Sequence, residues 1–317
     1  MFFSQRGLTE QMRFSNTIIL CEFRSKKKII LLVLTMDIYV LFGQTATGKT
    51  ARALDLVKEQ GGEIVNFDSR QIYKKLDIVT GKDTPLDPTI KIWLYDIVDP
   101  KESFSSAEYV EMAKKIIENI LKRGKTPILV GGTGYYLSHL LYGVPETGAG
   151  ENWDLRQKLN GKTVSELQCM LKEKDSLQFD SMNNSDRNNP RRLTRRIELL
   201  DAGAILSPPP VRDLKGRAFG ATLHLIPFFH SSTEKVREAI EKRVEARIQI
   251  GAIEEVKKLL GEGYTEKDPG LNAIGYKQLI SYVKGEKSLD DAKKEWITKE
   301  VQYAKRQKTY FKKFFPV

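Results

Sequence analysis

Eight consecutive residues, Gly43-Gln44-Thr45-Ala46-Thr47-Gly48-Lys49-Thr50, fit the pattern G-x-x-x-x-G-K-[ST] and constrain this chain more than anything else in it. The apolar run Ile38–Phe42 precedes them and a helical pattern follows. A loop set between strand and helix turns successive backbone N–H groups and the helix N-terminus toward one point, which is a site for an anion. Gly43 and Gly48 let the backbone wrap closely, Lys49 supplies a point charge, and the Thr50 hydroxyl suits a Mg²⁺ bridging phosphate oxygens. Eight matched positions in that context disfavour a mere glycine-rich turn. The pattern says oligophosphate without saying nucleotide.

The surrounding chain reads as an α/β fold, a P-loop NTPase-like parallel sheet flanked by helices. Candidate strands are Ile38–Phe42, Glu63–Phe67, Ile92–Val98, Pro127–Val130 and Thr222–Phe228. Ser105 and Glu108 have the spacing of a capping box, and Tyr109, Met112, Ala113, Ile116, Ile117 and Ile120 then recur at helical spacing up to Gly124. Residues 146–186 are polar with short amphipathic stretches and are expected to form a small helical insertion domain. Residues 36–145 and 187–317 should make the core domain. Ser207-Pro208-Pro209-Pro210 reads as a stiff linker. One or two helices are expected over Thr233–Leu260, and a last one over about Leu289–Phe314.

Composition narrows the function classes. The 317 residues include 52 Lys plus Arg against 41 Asp plus Glu, a net +11 that suits a polyanionic partner without naming one. Cys21 and Cys169 lie far apart, which argues against a disulfide scaffold and a zinc ribbon. The longest apolar run, Ile29–Leu34, is too short to span a bilayer. Residues 1–35 carry six basic and two acidic side chains, lack a persuasive period and lack a cleavage site. They read as a non-structured extension or an over-called start, with translation from Met36; a transit peptide is the alternative. The expectation is a cytoplasmic, monomeric protein with no membrane partner.

A nucleotide hydrolase would show an apolar strand ending in a Mg²⁺-binding Asp, and Asp96 or Asp99 fits that role only loosely. More telling is Asp68-Ser69-Arg70-Gln71-Ile72-Tyr73 at the end of the second strand. Carboxyl ends of neighbouring strands converge on one site in an open sheet, so Asp68 belongs beside the phosphate loop. An anion there handles a proton or a metal, or else caps the following helix.

At this point the chain resembles the tRNA dimethylallyltransferase (tRNA isopentenyltransferase) family. The resemblance runs from about Asp37 to Phe315 and thins across 146–186. It includes Gly43–Thr50, Asp68–Tyr73, Leu76-Asp77-Ile78 with Thr80-Gly81-Lys82, and Gly131-Gly132-Thr133-Gly134-Tyr135-Tyr136-Leu137. Further on come Asn189–Glu198, Ala273-Ile274-Gly275-Tyr276-Lys277 and Gln302-Tyr303-Ala304-Lys305-Arg306-Gln307.

The resemblance implies transfer of a dimethylallyl group from dimethylallyl diphosphate to the exocyclic amine of the adenosine on the 3′ side of the anticodon in tRNA, with Mg²⁺ as cofactor. It implies that Gly43, Gln44, Thr45, Ala46, Thr47, Gly48, Lys49 and Thr50 bind the diphosphate, that Thr45 and Lys49 touch its bridging oxygen, and that Thr50 holds the metal. Asp68 would be the general base. The anticodon stem-loop would meet Asp68, Ser69, Arg70, Gln71, Thr133, Arg191, Arg192, Leu193, Thr194, Arg195, Ala273, Ile274, Gly275, Tyr276 and Lys277, with the insertion also touching tRNA.

The chain departs from the family pattern in three places. Thr233 stands where an Arg usually assists the diphosphate, and Arg237, about one helical turn on, is the expected substitute. Glu300-Val301 replaces a Thr-Arg pair, and a family His near the third strand is replaced around Trp93–Tyr95. The residues themselves agree with a transferase. An adenine amine is a poor nucleophile, so the leaving diphosphate needs fixed amides, a cation and a metal, while a carboxylate takes the amine proton. The target base must leave its stack, which demands a nucleic-acid clamp. Residues 187–196 hold five arginines and no acid; residues 301–317 hold five basic residues interleaved with Tyr303, Tyr310, Phe311, Phe314 and Phe315. Each stretch has the alternative of a solvated helix face with core aromatics. The rival functions are a small-molecule kinase, a non-catalytic RNA-binding P-loop protein, and prenylation of free adenine nucleotides.

Overall fold

Alternating apolar strands and amphipathic helices build a parallel sheet in the computed structural model, which describes residues 36–83, 85, 87–144, 152–203 and 217–315. The N-terminal extension and the Ser207–Pro210 linker lie outside the described residues. In chain order the first elements are β1 (Asp37–Gly43), α1 (Lys49–Gln60), β2 (Gly62–Asn66), β3 (Ile92–Trp93), α2 (Ser106–Lys122), β4 (Thr126–Gly131) and α3 (Gly134–Tyr142). Five short helices follow: α4 (Trp153–Leu159), α5 (Val164–Lys174), α6 (Ser176–Ser181), α7 (Asn184–Arg187) and α8 (Pro190–Asp201). The chain then forms β5 (Arg217–Ala218), β6 (Ala221–Phe228), α9 (Thr233–Gln249), α10 (Ala252–Gly261), α11 (Tyr276–Val283) and α12 (Leu289–Phe314).

The sheet order is β3-β2-β4-β1-β6-β5, with five strands parallel and the two-residue β5 antiparallel to β6. The register puts Phe42 beside Gly131 and Gly43 beside Phe228, while Asn66 lies beside Val130. The loops after β1, β2 and β4 therefore leave the sheet at one level, on the edge where α/β sheets place ligands. The expected capping box is present: Ser105 Oγ accepts from Glu108 N–H, and Glu108 returns the bond to Ser105 N–H. The expected third strand, Ile92–Val98, is a correction. Leu94 (φ 68°) and Asp96 (φ 57°) are left-handed, so the strand stops at Trp93 and only Val98 bridges back to Tyr73. One cluster packs β1, β2 and β4 around Leu41, Ile64 and Ile128 against Ala53 and Leu56 of α1. A larger one joins residues 72–79 to α9–α12 through Leu76, Val244, Tyr276 and Trp296.

Val144–Val211 forms a separate compact unit. Leu167 and Leu171 of α5 pack with Leu193 and Ile197 of α8, with Phe179 and Met182 closing the cluster. α8, expected in the core domain, contributes Leu193 and Ile197 to this small core. Glu198 is buried there, accepting from Arg156 Nη2 (3.0 Å) and Arg195 Nη1 (2.6 Å).

Candidate active site

The loops at the carboxyl edge enclose a cavity of about 620 Å³, within the usual range for small-molecule sites. Its floor is the phosphate loop from Thr45 to Ala51; Asp68 and Gln71 come from the β2 end, Gly131 and Gly132 from β4. Residues between Asp77 and Asp83 form one rim, and Arg243 and Arg247 of α9 with Gln307 of α12 complete the wall.

The loop is gripped from outside the cavity. A Cβ on Gly43 would come 2.0 Å from the Phe228 carbonyl oxygen, so only glycine lets β1 turn this close to β6. Gln44, expected among the diphosphate contacts, points its side chain away: Nε2 donates to Ala304 O (3.1 Å), and Oε1 accepts from His230 N–H (2.9 Å). His230 Nε2 donates to the Ala46 carbonyl at 3.0 Å, which assigns that nitrogen the proton. Thr45 N–H donates to Gln307 Oε1 (2.8 Å), while Gln307 Nε2 donates to Gly132 O (2.9 Å), tying the β1 and β4 loops together. Lys49 begins α1 and lines the cavity, donating to the Gln44 carbonyl. Burial lowers its pKa from 10.5 to about 7; the Asp68 anion opposes that shift and the Arg243 cation adds to it. Thr50 lines the same cavity floor.

Asp68 makes a local turn bond and also lines the cavity; no helix follows it for its side chain to cap. Oδ1 accepts from Arg70 N–H (2.9 Å), a local turn bond, and Asp68 N–H donates to Asn66 Oδ1 (2.9 Å). Oδ2 accepts no hydrogen bond from a described residue, and Asp68 lines the cavity facing the loop that carries Lys49. Ser69 N–H donates to Thr133 Oγ1 (2.9 Å), binding the β2 and β4 loops together, and Gln71 Nε2 donates to Gly81 O (2.7 Å). Arg70 is exposed, with Nη1 on the Pro269 carbonyl (3.3 Å). Asp96 pairs with Lys82, and Asp99 accepts from Tyr264 Oη; neither lines the cavity.

Several expected contacts need correction. Arg237 is exposed, pairs with Glu241 at 3.6 Å and does not line the cavity. The guanidinium at the loop is Arg243, whose Nη1 donates to Thr45 Oγ1 at 2.6 Å and whose Nε is buried with no partner among the described residues. Arg247 lies one turn further on, and burial, helped by Arg243 and opposed by Glu300, lowers its pKa to about 10. In the sequence Arg243 and Arg247 share one helix face at a spacing of one turn, but nothing there separates that face from the one carrying Arg237.

Leu193 is fully buried in the small unit, so its side chain presents nothing to a partner. Arg192 pairs with Asp186 and Arg195 with Glu198, whereas exposed Arg191 has no side-chain partner among the described residues. Thr194 is half-buried. Ala273 and Tyr276 are core residues; Tyr276 Oη donates to Glu255 Oε1 (2.6 Å), and Glu255 accepts from the N–H groups of Asp77, Ile78 and Val79. That part of the motif holds the cavity rim, leaving half-buried Ile274 and exposed Lys277 at the surface. The aromatic tail packs as well. Phe311 and Phe315 lie 5.0 Å and 5.2 Å from Phe42, and Tyr310 stacks on Phe314 at 4.3 Å.

Fold and cavity together define a phosphate-loop α/β protein whose anion site faces a carboxylate. The family described as IPP transferase matches residues 71–314. A tRNA dimethylallyltransferase of Acetivibrio thermocellus is 36% identical over 283 residues, covering 87% of this chain and 89% of that protein. One from Anoxybacillus flavithermus is 37% identical over 281 residues, covering 88% of each. The crystal structure of the full-length tRNA isopentenylpyrophosphate transferase from Bacillus halodurans superposes with a TM-score of 0.62 at 31% identity, over 87% of this chain and 86% of that one. A eukaryotic dimethylallyltransferase, its crystal structures described as acting on tRNA, reaches 0.69 at 25% identity, over 87% of this chain and 70% of that one. This chain belongs to the IPP transferase family and is an enzyme, a transferase.

Proposed function

We propose that this enzyme transfers a dimethylallyl group from dimethylallyl diphosphate to N6 of the adenosine 3′-adjacent to the anticodon in tRNA. The bond from the allylic carbon to the diphosphate oxygen breaks, a carbon–nitrogen bond forms, and the amine proton leaves to Asp68. One observation carries the reading: a single cavity sets the cation-bearing phosphate loop against the carboxylate of Asp68, whose Oδ2 accepts no hydrogen bond from a described residue. Thr45, Lys49 and Arg243 stabilise the charge that grows on the leaving diphosphate. The Thr50 hydroxyl beside Lys49 suits a cation completed by phosphate oxygens. No group of three or more potential ligands among His, Cys, Asp and Glu occurs among the described residues, which agrees with a metal that arrives with its substrate. Thr50 would hold Mg²⁺ there, and the ion would supply neutralisation of phosphate charge.

Exposed Arg191 and Lys277 are the basic contacts for the anticodon stem-loop, and Gln71, on the cavity wall, meets the incoming base. A monomer in the cytoplasm goes with this reading; among the described residues no helix is long and apolar enough to cross a membrane. The test is to incubate the enzyme and Mg²⁺ with labelled dimethylallyl diphosphate and either bulk tRNA or AMP. Label in tRNA alone supports the reading. Label on AMP, or ATP-dependent phosphorylation without prenyl transfer, refutes it.

A further inference from the structure

A carboxylate is rarely buried unless charged partners surround it. Glu300, near the middle of α12, is 6% exposed, and three donors converge on it. Trp296 Nε1 donates to Oε1 at 2.9 Å, Arg247 Nη1 reaches Oε1 at 3.4 Å, and Arg243 Nη2 bonds Oε2. Arg243 uses its other terminal nitrogen for Thr45 Oγ1, so its planar fork is bonded on both sides, to the phosphate loop in front and the carboxylate behind. Seven residues on, along the same helix face, Gln307 takes the Thr45 N–H directly. α12 therefore grips Thr45 twice, once through Gln307 and once through Glu300 and Arg243.

Arg247 fits this arrangement. Its guanidinium lies so close to Gly81 that a Cβ there would fall 1.8 Å from Nη2, which fixes it against the cavity rim. Two guanidiniums around one carboxylate leave a net positive wall beside the loop, and among the described residues Glu300 is the only carboxylate that pairs with either guanidinium.

We propose that Glu300 is a positioning residue for the transfer reaction: it holds the Arg243 guanidinium on the phosphate loop, where the diphosphate leaves. The inference rests on the proposed function for the identity of the leaving group. A long side chain that is free samples many rotamers, and fixing it before the substrate arrives spares that ordering at the moment of reaction. The competing role is purely structural, with Glu300 serving only to neutralise Arg247 and anchor Trp296.

Glu300→Gln separates the two, because it keeps the shape and an acceptor for Trp296 while removing the charge. Three quantities are measured: inorganic diphosphate affinity with Mg²⁺, single-turnover transfer of dimethylallyl to tRNA, and the unfolding midpoint. Positioning predicts that Glu300→Gln lowers transfer by about 10²-fold and weakens diphosphate binding. It also predicts no further loss when Glu300→Gln is added to Arg243→Ala. The double variant Arg247→Met/Glu300→Gln, which removes both buried charges, should recover the midpoint but not transfer. Recovery of both would overturn the proposal, as would independent, multiplying effects of Glu300→Gln and Arg243→Ala. If the parent binds diphosphate yet transfers nothing to tRNA, the proposed function fails, and the diphosphate affinity of Glu300→Gln alone then decides the positioning role.

Discussion

Lys49 makes a prediction with a definite sign. Burial in the cavity lowers its pKa from 10.5 to about 7, with Arg243 adding to the shift and Asp68 opposing it. Above about pH 7 the ligand-free enzyme therefore holds Lys49 increasingly as the neutral amine. A diphosphate favours the ammonium form, so binding must take up a proton over that range. Affinity should fall as pH rises above about 7, by as much as about tenfold per pH unit, until the pKa of the complex is passed. Stability of the free enzyme moves the other way. Between about 7 and 10.5 the unfolded chain holds the proton that the native state lacks, so the Lys49 contribution to stability rises with pH; below that window both states are protonated and its cost is present in full. The assay is calorimetric titration of inorganic diphosphate with Mg²⁺ in buffers of different protonation enthalpy. Lys49→Met keeps most of the volume and removes the titration, while the protonation of diphosphate itself stays common to both proteins. The difference between their pH slopes isolates Lys49. Parallel slopes, with no extra proton uptake by the parent, would refute the argument.

Asp68→Asn keeps an acceptor for Arg70 N–H but cannot take the amine proton, so single-turnover transfer should fall by about 10²–10⁴ with both substrates still bound; a loss within about tenfold would reduce Asp68 to a turn-forming group. Glu255→Ala strips the acceptor from three successive N–H groups at the cavity rim and should cost about 1–3 kcal/mol in chemical denaturation. An unchanged midpoint would mean the rim is held elsewhere. Arg191→Ala should flatten the log–log salt dependence of tRNA binding by about 0.7–0.9, whereas Leu193→Ala should destabilise its unit by about 2–5 kcal/mol and leave the salt slope alone. The reverse outcome would exchange the roles of these two neighbours.

The parallel sheet and the place of the loop were legible because both depend on short-range patterns: apolar runs, a capping box, and glycines at fixed offsets. The third strand differs for a local reason as well, since the left-handed backbone at Leu94 has no signature in residue type, and an Asp such as Asp96 favours that conformation too weakly to end a strand on its own. Arg243 was missed because choosing among the arginines of α9 requires knowing which face turns toward β1, and that is settled by packing more than 50 residues away, at Glu300. The same limit applied to the arginines of α8. Their charge was visible, but that Arg192 and Arg195 already hold acids of their own unit depends on how its small core folds. Tyr276 read as a surface recognition residue because a motif gives residue types and omits burial; its ring is in the core and only its hydroxyl acts, through Glu255, on the rim.

The central claim is that one cavity joins a diphosphate leaving group to a tRNA amine. The most direct measurement is a single turnover with labelled dimethylallyl diphosphate and tRNA, followed by digestion of the product to nucleosides and location of the label. The account predicts label on N6 of the adenosine 3′-adjacent to the anticodon, with diphosphate released in equal amount and both lost in Lys49→Ala. Diphosphate released without label in tRNA, or label on any other nucleoside, would contradict it.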